Sequence, residues 1–210
     1  MILLTVFDTF YQNLLNSTWI EIVAVIFGLL SVWYCKKENI LVYPTGIVSV
    51  LIYVYICYYA KLYADMGINF YYFVMSVIGW YMWTRKTPDN EETNTRPVSR
   101  CTKLEYIICI VGLILSFIVL RFILVNYTDS NVPVWDSITT SLFFLAMWLQ
   151  AKKKIETWIL WILGDVVSVP LYFYKHLVFT SFQFFVFLII AVLGYIEWQK
   201  SIEKQKAVIL

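Results

Sequence analysis

Histidine is almost missing from this 210-residue chain; His176 is the single one. That excludes HExxH-type zinc sites and a Ser-His-Asp triad. Four cysteines (Cys35, Cys57, Cys101 and Cys109) show no CxxC or other metal-like spacing, so they read as free or buried structural thiols. There is no GxxxxGKS/T loop and no GxGxxG, so the chain carries no nucleotide site of its own for an ATP-driven pump. No metal and no cofactor is expected. The first 18 residues, MILLTVFDTFYQNLLNST, lack a basic n-region and read as an amphipathic segment on a membrane surface rather than a signal peptide. A formal net charge of +2 gives no basis for a nucleic-acid partner.

What the chain has in abundance is apolar sequence. It is 61% hydrophobic and 19% aromatic, with mean hydropathy +0.73, against roughly 45–50% apolar in an ordinary soluble domain. The long apolar runs predict an all-α polytopic membrane protein with seven spanning helices, at about 19–35, 40–60, 66–84, 105–125, 135–150, 156–174 and 178–198. Lipid is therefore a partner along most of the chain.

Basic residues test that number. Lys36, Lys37, Arg85, Lys86, Arg96, Arg100, Lys103, Lys152, Lys153, Lys154, Lys200, Lys204 and Lys206 all follow odd-numbered helices, which places 13 of the 16 on one side. Only Lys61, Arg121 and Lys175 fall on the other. The basic side is expected in the cytoplasm, with the N-terminus outside and the C-terminus inside.

The polar stretch from Thr87 to Lys103 divides the chain, and its two halves repeat. At an offset of 115 residues Glu21 meets Asp136, Trp33 meets Trp148, Gly79 meets Gly194 and Trp83 meets Trp198. A gap of about three residues would bring Gly46 onto Gly164. The organisation expected is an N-terminal segment (1–18), a first three-helix repeat (19–84), a cytoplasmic linker (85–104), a linking helix (105–125), a second repeat (126–198) and a tail (199–210). Because the linking helix crosses the membrane, the two repeats are parallel, a 3+1+3 arrangement with a substrate site expected between them near midplane.

One face of the sixth helix is the leading site candidate. With Trp158 at zero, Trp161 falls near 300°, Asp165 near 340°, Ser168 near 280° and Tyr172 near 320° at about 100° per residue. An acid among indoles inside a membrane needs a partner or a wet cavity. Asp165 either bonds a neighbouring helix or faces a flat, cationic ligand; helices one to three and five to seven carry no internal lysine or arginine to pair with it. A matching stripe on the third helix holds Asn69, Tyr72, Ser76 and Trp80, and Gln183 is an isolated amide on the seventh; helix-packing roles are the alternative for each. Pro44 and Gly46 in helix two, and Gly164 and Pro170 in helix six, read as interruptions and hinge candidates. Glu21 and Asp136 read as interfacial carboxylates. The scarcity of intramembrane bases disfavours a phosphorylated substrate.

These residues resemble the PnuC family of bacterial vitamin transporters, related in architecture to SWEET sugar transporters. The likeness rests on the WxxWxxx(N/D) pattern at Trp158, Trp161 and Asp165, and on EIVAVIFGLLSVW (21–33), ILVYPTGIVS (40–49) and LYADMGINFYYFVMSVIGWYMW (62–83). It spans Glu21 to Lys200. The resemblance implies a non-enzymatic carrier in the bacterial inner membrane that takes up nicotinamide riboside, an NAD precursor, by facilitated diffusion, with trapping by cytoplasmic phosphorylation. It implies thiamine as the alternative substrate and a homo-oligomer, a trimer, as the assembly. Trp158, Trp161, Asp165, Asn69, Gln183, Tyr72 and Trp80 are then the expected substrate contacts; in the family a Gln often stands where Asn69 does. A proton-coupled carrier using Asp165 and a membrane-embedded enzyme are the further alternatives.

Overall fold

A computed structural model describes residues 18–85 and 96–209. The N-terminal segment before Thr18, and residues 86–95 of the expected linker, lie outside the described residues. Seven helices follow one another within the described residues: α1 (Trp19–Lys36), α2 (Val42–Tyr59), α3 (Tyr63–Thr84), α4 (Lys103–Tyr127), α5 (Pro133–Ala151), α6 (Glu156–Tyr174) and α7 (Val178–Ile209). Local chemistry accounts for several of the ends. Thr18 and Glu21 form a capping box, and Thr102 and Glu105 form a second one at α4. Each satisfies two backbone N–H groups that have no partner inside the helix. Glu21 is therefore a helix cap. Asp136 is held in an ion pair with Lys175 at 2.6 Å rather than left solvated.

Five helices (α1, α2, α4, α6 and α7) are long and apolar enough to cross a membrane. The other two are not short. With 22 and 19 residues, α3 and α5 measure roughly 33 and 28 Å at 1.5 Å per residue. What lowers their hydropathy is polar side chains, and these mostly face inward: Ser76, Ser137, Thr139, Ser141 and Gln150 are all buried. The seven-helix, all-α architecture holds.

The helices α2 and α6 run unbroken, which corrects the expectation of interruptions at Pro44, Gly46, Gly164 and Pro170. Pro44 lies in the first turn of α2, where a missing N–H costs nothing. The two glycines mark close approach. A Cβ at Gly164 would overlap the Phe143 ring, and one at Gly46 would come to 2.9 Å from the Ser31 hydroxyl. Of the two prolines, only Pro170 lies in a helix interior.

The halves correspond in detail at the 115-residue offset. α1 packs on α2 as α5 packs on α6, α2 on α3 as α6 on α7, and α3 meets α5 as α7 meets α1. Four helix ends close with the same pattern of backbone bonds. Asn39 N–H reaches Tyr34 O as Lys154 N–H reaches Leu149 O, and Leu62 N–H reaches Cys57 O as Leu177 N–H reaches Tyr172 O. The left-handed residue in each is not glycine: Glu38, Lys153, Lys61 and His176 have φ of 54°, 55°, 59° and 59°. Ser31 Oγ donates to Val42 O at 2.7 Å, while Thr157 Oγ1 donates to Ala146 O at 2.8 Å, the same pair of positions with the roles exchanged. These landmarks flank α2 and α6 on both sides with one constant offset, so no gap is needed. Gly46 corresponds to Trp161, not to Gly164. The pattern is consistent with two parallel three-helix repeats joined by α4, which packs on the outside against α5.

The basic end is more ordered than a linker and a tail suggest. Ser99 N–H donates to Lys153 O and Ser99 O accepts from Ile155 N–H, at 3.2 and 3.0 Å, so residues near Ser99 cross beneath the bundle as an extended strap. Val98 enters the core there, beside Trp83, Trp198 and Ile202. Burial, reinforced by a hydrogen bond with Glu156, pushes the Cys101 thiol well above its ordinary range, so it stays protonated. Helix α7 continues through the expected tail to Ile209, and Ile202 joins the same core.

Gly194 shows how tightly this frame is packed, because a Cβ there would fall 2.6 Å from the Trp158 indole. Gly194→Ala is expected to lower the thermal midpoint, at a cost of about 1–3 kcal/mol. Gly67 has nothing within 4 Å of its Cβ position, so Gly67→Ala is expected to leave the midpoint unchanged or raise it slightly. A fluorescence-detected thermal melt of both variants in detergent checks the contrast.

Candidate functional site

Six helices enclose a cavity of about 420 Å³, and α4 contributes nothing to it. The sixth-helix face supplies Trp158, Trp161, Asp165 and Tyr172. Ser168, between them in sequence, is fully buried and turned away, with no hydrogen-bond partner for its Oγ among the described residues. The third-helix stripe supplies Asn69, Tyr72 and Ser76, and α7 supplies Gln183. Six of the seven expected contacts are thus brought together.

Trp80 is the exception and is corrected here: it is 40% exposed and does not line the cavity. Toward the basic end α3 packs through Ser76, Gly79 and Trp83. On the wheel that places Asn69 at zero, Gly79 and Trp83 fall near 280° and 320°, and Trp80 near 20°, at about 100° per residue. The face buried there, through Gly79, Trp83 and Ser76, spans about 280° to 340°, and Trp80 lies outside it.

The basic end of the cavity is closed by four rings. Tyr43 meets Trp83 edge-on at 5.2 Å, Trp83 meets Trp198 at 6.0 Å, and Trp198 meets Trp158 edge-on at 5.4 Å. None of the four exceeds 1% exposure. The floor obeys the same correspondence, Tyr43 with Trp158 and Trp83 with Trp198. Trp83 Nε1–H donates to Gln150 O and Trp198 Nε1–H donates to Cys35 O, both at 3.0 Å, so each half is tied to the other. Lys153 pairs with Glu38 at 2.9 Å and lies 4.7 Å over the Trp83 ring. Trp158 therefore belongs to the floor. Its Nε1 and the Tyr43 hydroxyl are buried without hydrogen-bond partners among the described residues.

Trp161 stands higher on the wall. Its indole stacks on Phe143, with centroids 5.1 Å apart and planes 29° apart. Asp165 is 2% exposed, and no hydrogen bond or ion pair reaches its carboxylate among the described residues. At the far end Asp65 lines the cavity, its backbone carbonyl accepting from Asn69 Nδ2 at 2.9 Å. Gln183 and Tyr53 line the cavity there. The Lys175–Asp136 ion pair sits beside Tyr172, the ammonium 5.4 Å over its ring. Among the described residues the lining holds no lysine, arginine or histidine.

Sequence reading missed Tyr43, Tyr53, Phe143 and Phe184, all of which line the cavity. A ring facing a cavity and a ring facing lipid look alike in an apolar helix. The 115-residue offset offered the one available signal, since it places Tyr43 opposite Trp158.

The family model for the nicotinamide mononucleotide transporter matches residues 18–200. The nicotinamide riboside transporter PnuC of Escherichia coli strain K12 is 26% identical, over 89% of this chain and 87% of its own length. The riboflavin/roseoflavin transporter RibM of Streptomyces davaonensis is 24% identical, over 86% of this chain and 84% of its own. A crystal structure of the vitamin B3 transporter PnuC superposes with a TM-score of 0.71 at 24% identity, covering 96% of this chain and 90% of that one, which shows the shared fold. With the family match running from the cap of α1 into the end of α7, the chain belongs to the nicotinamide mononucleotide transporter family.

Proposed function

We propose that this protein carries nicotinamide riboside across the bacterial inner membrane by facilitated diffusion, with net uptake maintained by cytoplasmic phosphorylation. The charge of the cavity is the observation that carries the reading. Its lining has the carboxylates of Asp65 and Asp165 and no base. A phosphate group seeks arginine, lysine or a helix N-terminus, so the mononucleotide is disfavoured although the family bears its name. A pyridinium ring suits aromatic faces next to a carboxylate. The substrate named for the E. coli relative has that chemistry. The flavin named for the Streptomyces relative is planar but uncharged, and would leave Asp165 without a counter-charge.

Each residue then takes a role. Trp161, backed by Phe143, offers its free face to the nicotinamide ring. Trp158 is the floor on which the substrate rests. Asp165 accepts from ribose hydroxyls or faces the ring charge, Asn69 and Gln183 supply amides, and Tyr72 forms the opposite wall. The basic end lies in the cytoplasm, with the N-terminus outside and the C-terminus inside. Release to that side parts the four-ring floor as the halves rock. Pro170 is the hinge we retain, because its ring removes the bond that would hold the carbonyl of Val166. The transporters among the relatives favour carriage over catalysis.

Titration of the purified protein with nicotinamide riboside, nicotinamide mononucleotide, thiamine and riboflavin tests this reading. The riboside is expected to bind tightest, and the mononucleotide about tenfold or more weaker. Tighter binding of thiamine or riboflavin would replace the substrate proposed here. Asp165→Asn is expected to weaken the riboside by roughly tenfold and to leave riboflavin unaffected, since the ligand charge is what it loses. Trp161→Ala is expected to cost about tenfold, and Trp80→Ala nothing measurable, in the same titration.

A further inference from the structure

The two halves share a frame but not a lining. On the second half, four rings from three helices form a continuous stack along the cavity wall. Trp161 stacks on Phe143 at 5.1 Å, Phe143 on Phe184 at 5.9 Å with planes 4° apart, and Phe184 on Tyr172 at 4.9 Å with planes 20° apart. Trp161 and Tyr172 are eleven residues apart on α6, a rise of about 16 Å. The stack therefore runs from the mid-depth of the cavity to its far end beside the Lys175–Asp136 pair. At the corresponding positions of the first half stand Gly46, Gly28, Asn69 and Cys57. Not one of them is a ring, and Gly28, Gly46 and Asn69 line the same cavity. Ser49 and Ser31 pack close to Gly28 and Gly46, so the wall that carries stacked rings in one half is a close-packed, ring-free surface at these positions in the other.

We propose that Phe143 and Phe184 determine specificity for a planar ring. Phe143 positions Trp161 from behind, and the stack of Trp161, Phe143, Phe184 and Tyr172 is a wall against which a flat aromatic substrate docks, across the cavity from the ring-free surface at Gly28 and Gly46. Phe143 can hold this place only because residue 164 is glycine, as a Cβ there would overlap its ring. The faces of Phe143 and Phe184 are taken by their neighbours in the stack, so these two rings present edges to the cavity and fix the end rings Trp161 and Tyr172, whose outer faces are free for a planar ring. Saturated or bulky solutes lose that stacked contact. The inference deepens the transport reading and rests on it.

The test uses full-length Phe143→Leu, Phe143→Tyr and Phe184→Leu, with nicotinamide riboside and riboflavin as probes, reading dissociation constants, association rates and thermal midpoints. Phe143→Leu is expected to weaken binding of the riboside about tenfold, and Phe143→Tyr to restore it to within about twofold, because it keeps the ring. Phe184→Leu is expected to slow association about fivefold with a smaller change in affinity. Wild-type affinity and association rate in both leucine variants would overturn the inference alone. So would weakening that tracks the thermal midpoint and is not rescued by tyrosine, which marks plain packing. A wild-type protein that binds neither vitamin overturns this inference together with the transport reading.

Discussion

Two indole N–H groups hold the halves of this molecule together at its basic end. Trp83 closes on the carbonyl of Gln150 and Trp198 on that of Cys35, each bond crossing from the last helix of one repeat to the first helix of the other. In a low-dielectric interior neither carbonyl has water to turn to. Breaking one of these bonds therefore leaves a buried acceptor at a cost of roughly 1–3 kcal/mol. The C-terminal ends of α1, α3 and α5 meet α7 at this point, where Trp198 lies well inside α7, and the rings here close the cavity above. The strap through Val98 and the Lys153–Glu38 pair add to the same closure.

The frame repeats its contacts at one offset, a pattern consistent with two parallel repeats, while the cavity lining does not repeat. Turns, left-handed residues and cross-half bonds recur at one offset, which suits two bodies that move against each other. Inside, the second half supplies the stacked rings Trp161, Phe143, Phe184 and Tyr172 with Asp165, and the first half supplies glycine, serine, asparagine, tyrosine and aliphatic side chains with Asp65. In the reading proposed here, a repeated frame with an asymmetric lining would let both halves share the motion while α5, α6 and α7 carry most of the ring contacts.

Much of this was legible before any coordinates. The sevenfold run of apolar segments, the one-sided basic residues and the α6 face of Trp158, Trp161 and Asp165 each follow from period and charge. Three things were not legible, for physical reasons. Helix ends at Glu38, Lys61, Lys153 and His176 use left-handed residues without glycine, so the usual signal was missing and the register drifted toward Gly46 and Gly164. Trp80 was misplaced because a helical wheel groups residues by angle without showing which arc is buried, and α3 buries the arc of Ser76, Gly79 and Trp83. Phe143 and Phe184 were invisible because lipid and cavity both accept phenylalanine. What distinguishes them is stacking geometry across three helices, which no single-helix period encodes.

The most direct test of the account is counterflow in liposomes. Purified protein is reconstituted with unlabelled nicotinamide riboside inside and labelled nicotinamide riboside outside, with no ion gradient and no nucleotide. The account predicts rapid, saturable exchange that reaches equilibrium without net accumulation and is lost in Trp161→Ala. Absence of exchange, or accumulation that appears only when a pH gradient is imposed, would contradict it.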